Sequence, residues 1–598
     1  MMVSETHNLI APDLKRKHMA VSAPDAWGSL AMGIVAFLLA GIGVARIVST
    51  YHVFSQTTDE PAHVATGMEW LQRGTYAFEP LHPPLARVAV AIGPYLSGLR
   101  LDGHQNLWIE GNELLLANGR YLHNLSQARL GVIPFFLLAT CLAWYWARAR
   151  YGDRPALVAM FLFTTSPVVL AHSGLATTDM AATATFTAAV FAYINFLEKP
   201  TYLRSTILGA AAALAVLSKF SALVFLPACG ATLLVTRWIM GRHRKENVHQ
   251  TGGARWGRSI ALSAVVMFLL VWAGYRFSVS SATDAAARPH YTIDQVVGAK
   301  GTLHNMAYAA AEYPFIPAPA FFQGLAKLRF KETTGHKSYL LGHIRQTGWW
   351  YFFPVALAVK STVPFLIFAG MGIVYLGKSV WLPDGDWIAV APVVAALTLL
   401  LVCLPSHINI GVRHILPIYP LLAISGGVGA CRFWSGAKPK YAGPALVLVL
   451  LAWQLTSSIR AHPDYLAYFN EFAGQHPEKI LIDSDLDWGQ DLLRLSAALQ
   501  QRDIDQVSIA YAGSPKLGLS NFSLPPFQVL APHQPAVGWI AISLLPLKVG
   551  GFGVRDDSFS WLEAYKPVAL VGRSIRLYYV PEPDQAEPKH PVPNYQAQ

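Results

Sequence analysis

Residues 57–85, TTDEPAHVATGMEWLQRGTYAFEPLHPPL, follow directly on an apolar run that begins at Leu30 and is long enough to cross a membrane. Thr58 or Asp59 can cap a helix start, and Pro61 suits its first turn. Val64, Met68 and Leu71 then fall on one helical face, and Arg73-Gly74 reads as the helix end. The stretch therefore predicts that the first loop outside the membrane opens with a short amphipathic helix. Asp59 and Glu60 sit at its N-terminal end, where unpaired N–H groups and the helix dipole favour ionised carboxylates. An ionised carboxylate at a membrane surface is what a general base requires. The plainer reading makes Asp59 an N-cap only.

Composition sets the class. The 598 residues are 53% hydrophobic and only 14% charged, against about 25% charged in soluble domains. Repeated apolar runs up to about residue 460 mark a polytopic α-helical membrane protein. The net charge of +11 lies largely in short loops, where Lys and Arg set topology, so it gives no reason to invoke nucleic acid. Cys141, Cys229, Cys403 and Cys431 all fall in or beside apolar runs and read as small buried hydrophobes.

Eleven spans are expected: Leu30–Val48, Leu130–Trp146, Ala156–Leu170, Met180–Phe196, Ile207–Leu217, Ala222–Thr236, Ile260–Tyr275, Trp349–Leu376, Ile388–Leu404, Ile415–Ala430 and Ala442–Leu455. With that count, basic clusters at Lys15-Arg16-Lys17, Arg148/Arg150/Arg154, Arg237 to Arg258 and Arg432/Lys438/Lys440 all face the cytoplasm. The organisation is then a cytoplasmic tail (1–28), a transmembrane region (29–460) with long outer loops at 50–128 and 277–348, and an outer part (461–580). A Pro-rich, charged tail (581–598) reads as disordered. In 461–580, Lys479–Asp483, Gln506–Ala510 and Gly538–Ser543 read as strands and Gln490–Gln501 as a helix, giving a small α/β C-terminal domain. Within the first outer loop, Leu85–Leu99 is apolar but too short to span, and Asn112 can cap a third short helix.

This orientation gathers the unusual polar residues at the outer face: Asp59, Glu60 and His82, Asp179 in Leu175–Asp179, Lys219, and Arg413-His414. Transfer of a sugar from a polyprenyl phosphate suits such a face. The lipid lies in the bilayer with its phosphate at the interface, the acceptor hydroxyl needs a base, and the leaving phosphate needs positive charge or donors. No P-loop or dinucleotide fingerprint occurs.

Asp59-Glu60-Pro61, His82-Pro83-Pro84-Leu85, Thr177-Thr178-Asp179, Ile410 to His414 and Asp483 to Gln490 occur in that order. This series resembles the phospholipid-carrier-dependent glycosyltransferases, the superfamily of the protein O-mannosyltransferases and the lipid A aminoarabinose transferases. The resemblance implies a C-type glycosyltransferase fold and an inverting displacement with a carboxylate base; no cofactor is expected, with a divalent cation left open. It implies a polyprenyl-phosphate sugar as donor, a protein, glycan or lipid as acceptor, and a plasma-membrane location with the active face extracytoplasmic. Asp59 matches the family's catalytic acid and Glu60 its neighbour. His82 matches the basic position near the donor phosphate, and Asp179 a second acid facing the same cavity. Where relatives have Glu directly before the basic residue, this chain has Leu81, and its nearest acid is Glu79.

Other residues carry two readings each. Lys219 and Arg413 serve as interfacial anchors or as phosphate ligands, with His414 beside Arg413. Lys360 falls mid-span, where a charge is paired or functional, toward lipid phosphate or a carboxylate. Asp483, Asp485 and Asp487 alternate, which leaves a divalent cation open beside a simple turn-and-cap role. A transporter or flippase is the competing class. It calls for charges near the midplane and repeated halves, whereas these residues collect at span ends without a repeat. An oligosaccharide transferase calls for Trp-Trp-Asp, for which Trp349-Trp350-Tyr351 is a poor match.

Overall fold

The computed structural model describes residues 26–582, apart from 105, 245–252, 282–293, 295–296, 299, 313–314, 382–384, 516, 519–521 and 551–556. The tail before residue 26 with its Lys15-Arg16-Lys17 cluster, part of the Arg237 to Arg258 segment, and the tail from 583 lie outside the described residues.

Every expected span falls on helix. Among the described residues, six helices are by length and composition apolar enough to cross a membrane, or up to eight if each of two bent pairs is one span, beside the eleven expected. Tyr202–Ser218 and Trp387–Cys403 are shorter apolar helices. Ile418–Gly436 is buried at every residue from Ile418 to Ala430. It lies against Val363–Ser379 and Asp153–Thr164, and its Ser425-Gly426-Gly427 and Gly429 admit that close packing.

The expected single span Trp349–Leu376 is two helices, Phe352–Lys360 and Val363–Ser379, set at 118°. Pro364 gives the reason: in a continuous helix its ring would collide with the carbonyl of Lys360. The carbonyls released at the break are taken up by Asn470, whose Nδ2 donates to Ala358 O and Ser361 O at 2.5 and 2.6 Å. Lys360 is therefore at a helix end rather than mid-span. Pro167 similarly follows a 62° bend between Asp153–Thr164 and Pro167–Ser173.

The segment after the first apolar helix forms the helices Glu60–Arg73, Pro84–Leu96 and Leu107–Leu116. The first begins and ends where the sequence indicates, with Gly74 in the left-handed conformation. It is not amphipathic toward solvent, because every residue from Glu60 to Glu69 is buried between its two neighbours. Gly67 makes this possible, since a Cβ there would lie 1.9 Å from Arg87 O. The third helix is capped by Asn106, not Asn112, with Asn106 Oδ1 accepting from Trp108 N at 2.9 Å. Asn112 lies inside that helix and its amide donates to Ser514 O.

Toward the C-terminus, five strands form one sheet in the order Phe527–Val529, Val507–Ala510, Gly538–Ser543, Ile575–Val580, Ala569–Val571. The first three are parallel and the last two antiparallel. Leu492–Gln500 is the expected helix. Lys479–Asp483 is not a strand. It lies in 3-10 turns at Pro477–Lys479 and Asp483–Asp485, with Leu481 and Ile482 buried between them. Ile509, Ala541 and Leu577 share one continuous core with Val64 and Tyr419, so the sheet is built onto the helices. Backbone bonds fasten the two at Ser55 N to Gln490 O and Thr58 N to Trp488 O, both 3.0 Å.

Candidate active site

The fold brings one end of the first extramembrane helix against three helix termini and two turns. Asp59 precedes Glu60–Arg73 in a helical rather than extended backbone, so its side chain makes no cap bond. Glu60, the first residue of the helix, instead holds the preceding turn: its Oε2 accepts from Thr57 N at 2.7 Å. Asp59 is thus free to turn its carboxylate to Arg413, with Nη1 to Oδ2 at 2.9 Å.

Arg413 is the hub. Its Nη1 is also 3.9 Å from Asp179 Oδ2, and its guanidinium lies 4.2 Å from the centre of the Trp488 ring. Its Nε is buried with no hydrogen-bond partner. Asp179, at the start of Asp179–Glu198, receives Lys219 Nζ at 2.7 Å and Thr177 Oγ1 at 3.2 Å. Lys219 follows the end of Tyr202–Ser218. Asp59, Asp179, Lys219 and Arg413 therefore form one alternating charge chain drawn from four separate segments.

Glu60 lies outside this chain. Both its oxygens are bonded to Arg129, each at 2.9 Å, and Oε1 also accepts from Ala176 N. Both side chains are fully enclosed. The pair ties the first loop to the Leu175–Asp179 turn and so sets where Asp59 and Asp179 sit.

His82 stands at the second edge, its ring T-shaped to His63 with centroids 5.4 Å apart. Arg87 Nε donates to His63 Nδ1 at 3.1 Å, which makes Nδ1 the acceptor and leaves the proton on Nε2. Arg87 is in turn held by Glu79, at 2.9 Å, and by Tyr76. Burial, reinforced by the positive Arg87, lowers His63 to about 3 and carries His82 well below its ordinary value, so both rings are neutral.

The Val412–Ile415 turn and the Asp483–Asp485 turn are clamped together. Ser484 Oγ donates to Ile410 O at 2.5 Å and Val412 N to Asp485 Oδ1 at 3.0 Å. Lys360 Nζ supports this clamp from below, donating to Asp485 O and Leu466 O at 2.5 and 2.7 Å. Its donors go to backbone carbonyls, so it stands apart from the charge chain. His414 is half-buried beside Phe353, its Nε2 enclosed without a partner, and desolvation takes it well below its ordinary value. Asp487 accepts from Leu545 N at 2.7 Å, and burial raises its carboxyl to about 7. The alternating acids do not converge. Among the described residues no group of three or more His, Cys, Asp or Glu side chains is placed to hold a metal ion.

For Asp59, burial alone would raise the carboxyl, but the Arg413 guanidinium outweighs it and holds the group below the ordinary carboxylate range. Asp483 differs: burial raises it to about 7 against the pull of Arg413.

Sequence reading did not single out Arg129, His63, Arg87, Trp488 or Lys331. His63 was within reach, since it is four residues from Asp59 on the same helical face. Lys331 belongs to Pro319–Thr334, a helix in the long segment 277–348. Gly324 lets that helix lie on the first loop, since a Cβ there would be 2.1 Å from Pro80 O. Glu332 Oε1 pins the helix by accepting from His407 N at 2.8 Å. The charge of Lys331 consequently acts on Asp59, His82 and His414 together.

Residues 120–255 match the family model described as dolichyl-phosphate-mannose-protein mannosyltransferase. Over those residues, less than half of the chain, the sequence is similar to that family. No curated protein matches. Among solved structures it is similar to ArnT from Cupriavidus metallidurans bound to undecaprenyl phosphate, at 13% identity and a TM-score of 0.47, over 92% of this chain and 98% of that one. It is similar to the oligosaccharyltransferase AglB from Archaeoglobus fulgidus, in complex with an inhibitory peptide and a dolichol-phosphate, at 12% identity and a TM-score of 0.48, over 94% and 76%. The S. cerevisiae protein O-mannosyltransferase Pmt1-Pmt2 complex bound to the sugar donor gives 11% and 0.49, over 72% and 90%. At TM-scores below 0.5 these likenesses assign neither fold nor activity.

Proposed function

We propose that this chain transfers a hexosyl or pentosyl group from a polyprenyl-phosphate donor to a protein, glycan or lipid acceptor. The reaction takes place at the extracytoplasmic face of the plasma membrane, by inverting displacement assisted by a carboxylate. The observation that carries this reading is the convergence of Asp59, Asp179, Lys219 and Arg413 from four distant segments into one chain of charges at the ends of apolar helices. Such a cluster combines anions that can orient an acceptor hydroxyl with cations that can receive a phosphate.

The roles follow from chemistry. The leaving group is a lipid phosphate whose charge grows as the glycosidic bond breaks, so fixed cations and donors accelerate departure. Arg413 presents an unpartnered Nε, and Lys331 and Lys219 flank the same space. His82 and His414, both neutral, serve the phosphate as hydrogen-bond donors, adding no charge. Asp59 faces the acceptor, Asp179 fixes Lys219 and Arg413, Glu60 positions Asp59, and Lys360 supports the Asp483–Asp485 turn.

Comparison of surface proteins and glycolipids by mass spectrometry tests this, using a deletion strain complemented with wild type or Asp59→Asn. A saccharide present with wild type and missing from both other strains is the expected result. Identical envelopes in all three would remove the reading.

A further inference from the structure

Asp487-Trp488-Gly489-Gln490 lends one ring to the charge chain, and the backbone around that ring is firmly held. Gly489 has φ of 81°, and a Cβ there would lie 2.6 Å from Ala512 O, so the turn requires glycine. Gln490 braces the turn from within: Trp488 N donates to its Oε1 at 2.9 Å, and its Nε2 donates to Leu486 O at 2.8 Å. Gly489 O accepts from the Tyr511 hydroxyl and from Ser55 Oγ, the latter at 3.2 Å. Asp487 Oδ2 accepts from Leu545 N at 2.7 Å. Tyr511 and Leu545 follow the strands Val507–Ala510 and Gly538–Ser543. The turn is thus fixed to the sheet on one side and to the segment before Asp59 on the other.

Trp488 is buried and meets the charge chain twice. Its carbonyl accepts from Thr58 N at 3.0 Å and from Thr58 Oγ1 at 3.2 Å, and Thr58 directly precedes Asp59. Its ring lies against the Arg413 guanidinium at 4.2 Å, and the His172 ring packs on it in a T, with centroids 6.4 Å apart. Arg413 needs such a surface. Asp59 and Asp179 both approach it through Nη1, at 2.9 and 3.9 Å, and contacts at one nitrogen leave the guanidinium plane free to turn about them. Nε, at another corner, is buried with no hydrogen-bond partner. The indole sets the plane, because a guanidinium stacks on an aromatic face and is attracted by its quadrupole.

Resting on the transferase reading, we propose that Trp488 is a positioning residue for the donor. It acts through Arg413, fixing the guanidinium plane so that Nε stays available to the lipid phosphate. The same residue ties Thr58, and through it Asp59, to the C-terminal sheet. Both members of the Asp59–Arg413 pair are therefore placed by one turn, which makes the sheet a working part of the site.

The test uses full-length protein in nanodiscs. Binding of undecaprenyl phosphate is measured first, then initial rates with undecaprenyl phosphate carrying a radiolabelled hexose or pentose. Trp488→Leu keeps apolar bulk without a ring face. It is expected to weaken undecaprenyl phosphate binding by about 3–30-fold, the range of one cation–π contact, and to raise donor KM while leaving acceptor KM unchanged. Trp488→Phe restores a face and is expected to recover most of the loss. In an Arg413→Ala background, Trp488→Leu is expected to cost less than about twofold, since no guanidinium remains to be held. Trp488→Met is a second apolar replacement that adapts to the space, and Tm is read for every variant. No loss in Trp488→Leu, equal losses for Trp488→Leu and Trp488→Phe, a loss of the same size in both backgrounds, or an equal rise in acceptor KM overturns the inference and leaves the transferase reading standing. So does unfolding of both apolar variants, which would give the ring a packing role only. Wild type that neither binds undecaprenyl phosphate nor turns over any donor removes the transferase reading, and this inference with it.

Discussion

Replacing Arg413 by Lys separates recognition of phosphate from anchoring at the membrane. Arg413 makes one close bond to Asp59 at 2.9 Å, a longer approach to Asp179 at 3.9 Å and a stack on Trp488 at 4.2 Å. Lysine keeps the charge but has no planar fork, and it loses most of the stack. A stack is worth about 0.5–2 kcal/mol and a charge-assisted bond about 1.5–3 kcal/mol. Since one ion pair survives, Arg413→Lys should cost about 1–2 kcal/mol in kcat/KM for the donor, about 5–30-fold. Arg413→Ala strands Asp59 and weakens the hold on Asp179, so about 3–5 kcal/mol is expected. The loss should appear when polyprenyl-phosphate sugar is varied and stay small when only acceptor is varied. The alanine variant should also release the Asp59 carboxyl upward, because burial then acts without its counterweight. In wild type that carboxyl sits below its unfolded value. Its contribution to stability is therefore complete above about pH 4 and fades as pH falls through the lower folded value. Equal activity of wild type and Arg413→Lys at limiting donor would refute the phosphate role and leave Arg413 an anchor.

Glu60→Ala leaves Arg129 buried without its carboxylate and should lower stability by about 3–5 kcal/mol, read as a drop in Tm in detergent. A Tm near wild type would mean that the Glu60–Arg129 pair does not hold the first loop. Gly67→Ala forces a Cβ toward Arg87 O, 1.9 Å away in the present packing, and should cost about 1–3 kcal/mol, by the same measurement; an unchanged Tm contradicts the close helix packing. For topology, in a background lacking the native cysteines, Asp102→Cys should react with an impermeant thiol reagent on spheroplasts and Ser435→Cys should not. Both positions are exposed, so the reverse labelling inverts the orientation.

Hydropathy located the helices because each apolar run had to find apolar surroundings. It did not register the break at Ser361-Thr362, since Lys360-Ser361-Thr362 interrupt the apolar run only briefly and Pro364 marks the sterically forbidden turn. Ile480-Leu481-Ile482 reads as a strand for a related reason: three consecutive apolar residues fit a buried turn equally well. The first helix was legible at both ends, but its burial depends on the later helices that cover it. At the site, Asp59, Asp179, Lys219 and Arg413 were legible from residue type and span ends. Their pairing was not, because it joins positions up to 354 residues apart. Glu60 and Asp59 are adjacent and chemically alike, and only Arg129 distinguishes the enclosed supporting acid from its half-buried neighbour. Lys331 belongs to a basic stretch with Lys327, Arg329 and Lys337, which reads as a solvated face until Gly324 is seen against Pro80.

The central claim is that the charge chain around Arg413 handles a sugar linked to polyprenyl phosphate. Its most direct test is release of radiolabelled sugar from undecaprenyl phosphate by purified protein in liposomes, with Asp59→Asn and Arg413→Ala in parallel. The expected result is time-dependent appearance of lipid phosphate with wild type, reduced at least a hundredfold in both variants, about the minimum loss for removing such groups. Intact donor with wild type across hexosyl and pentosyl carriers, or equal release by all three proteins, would contradict it.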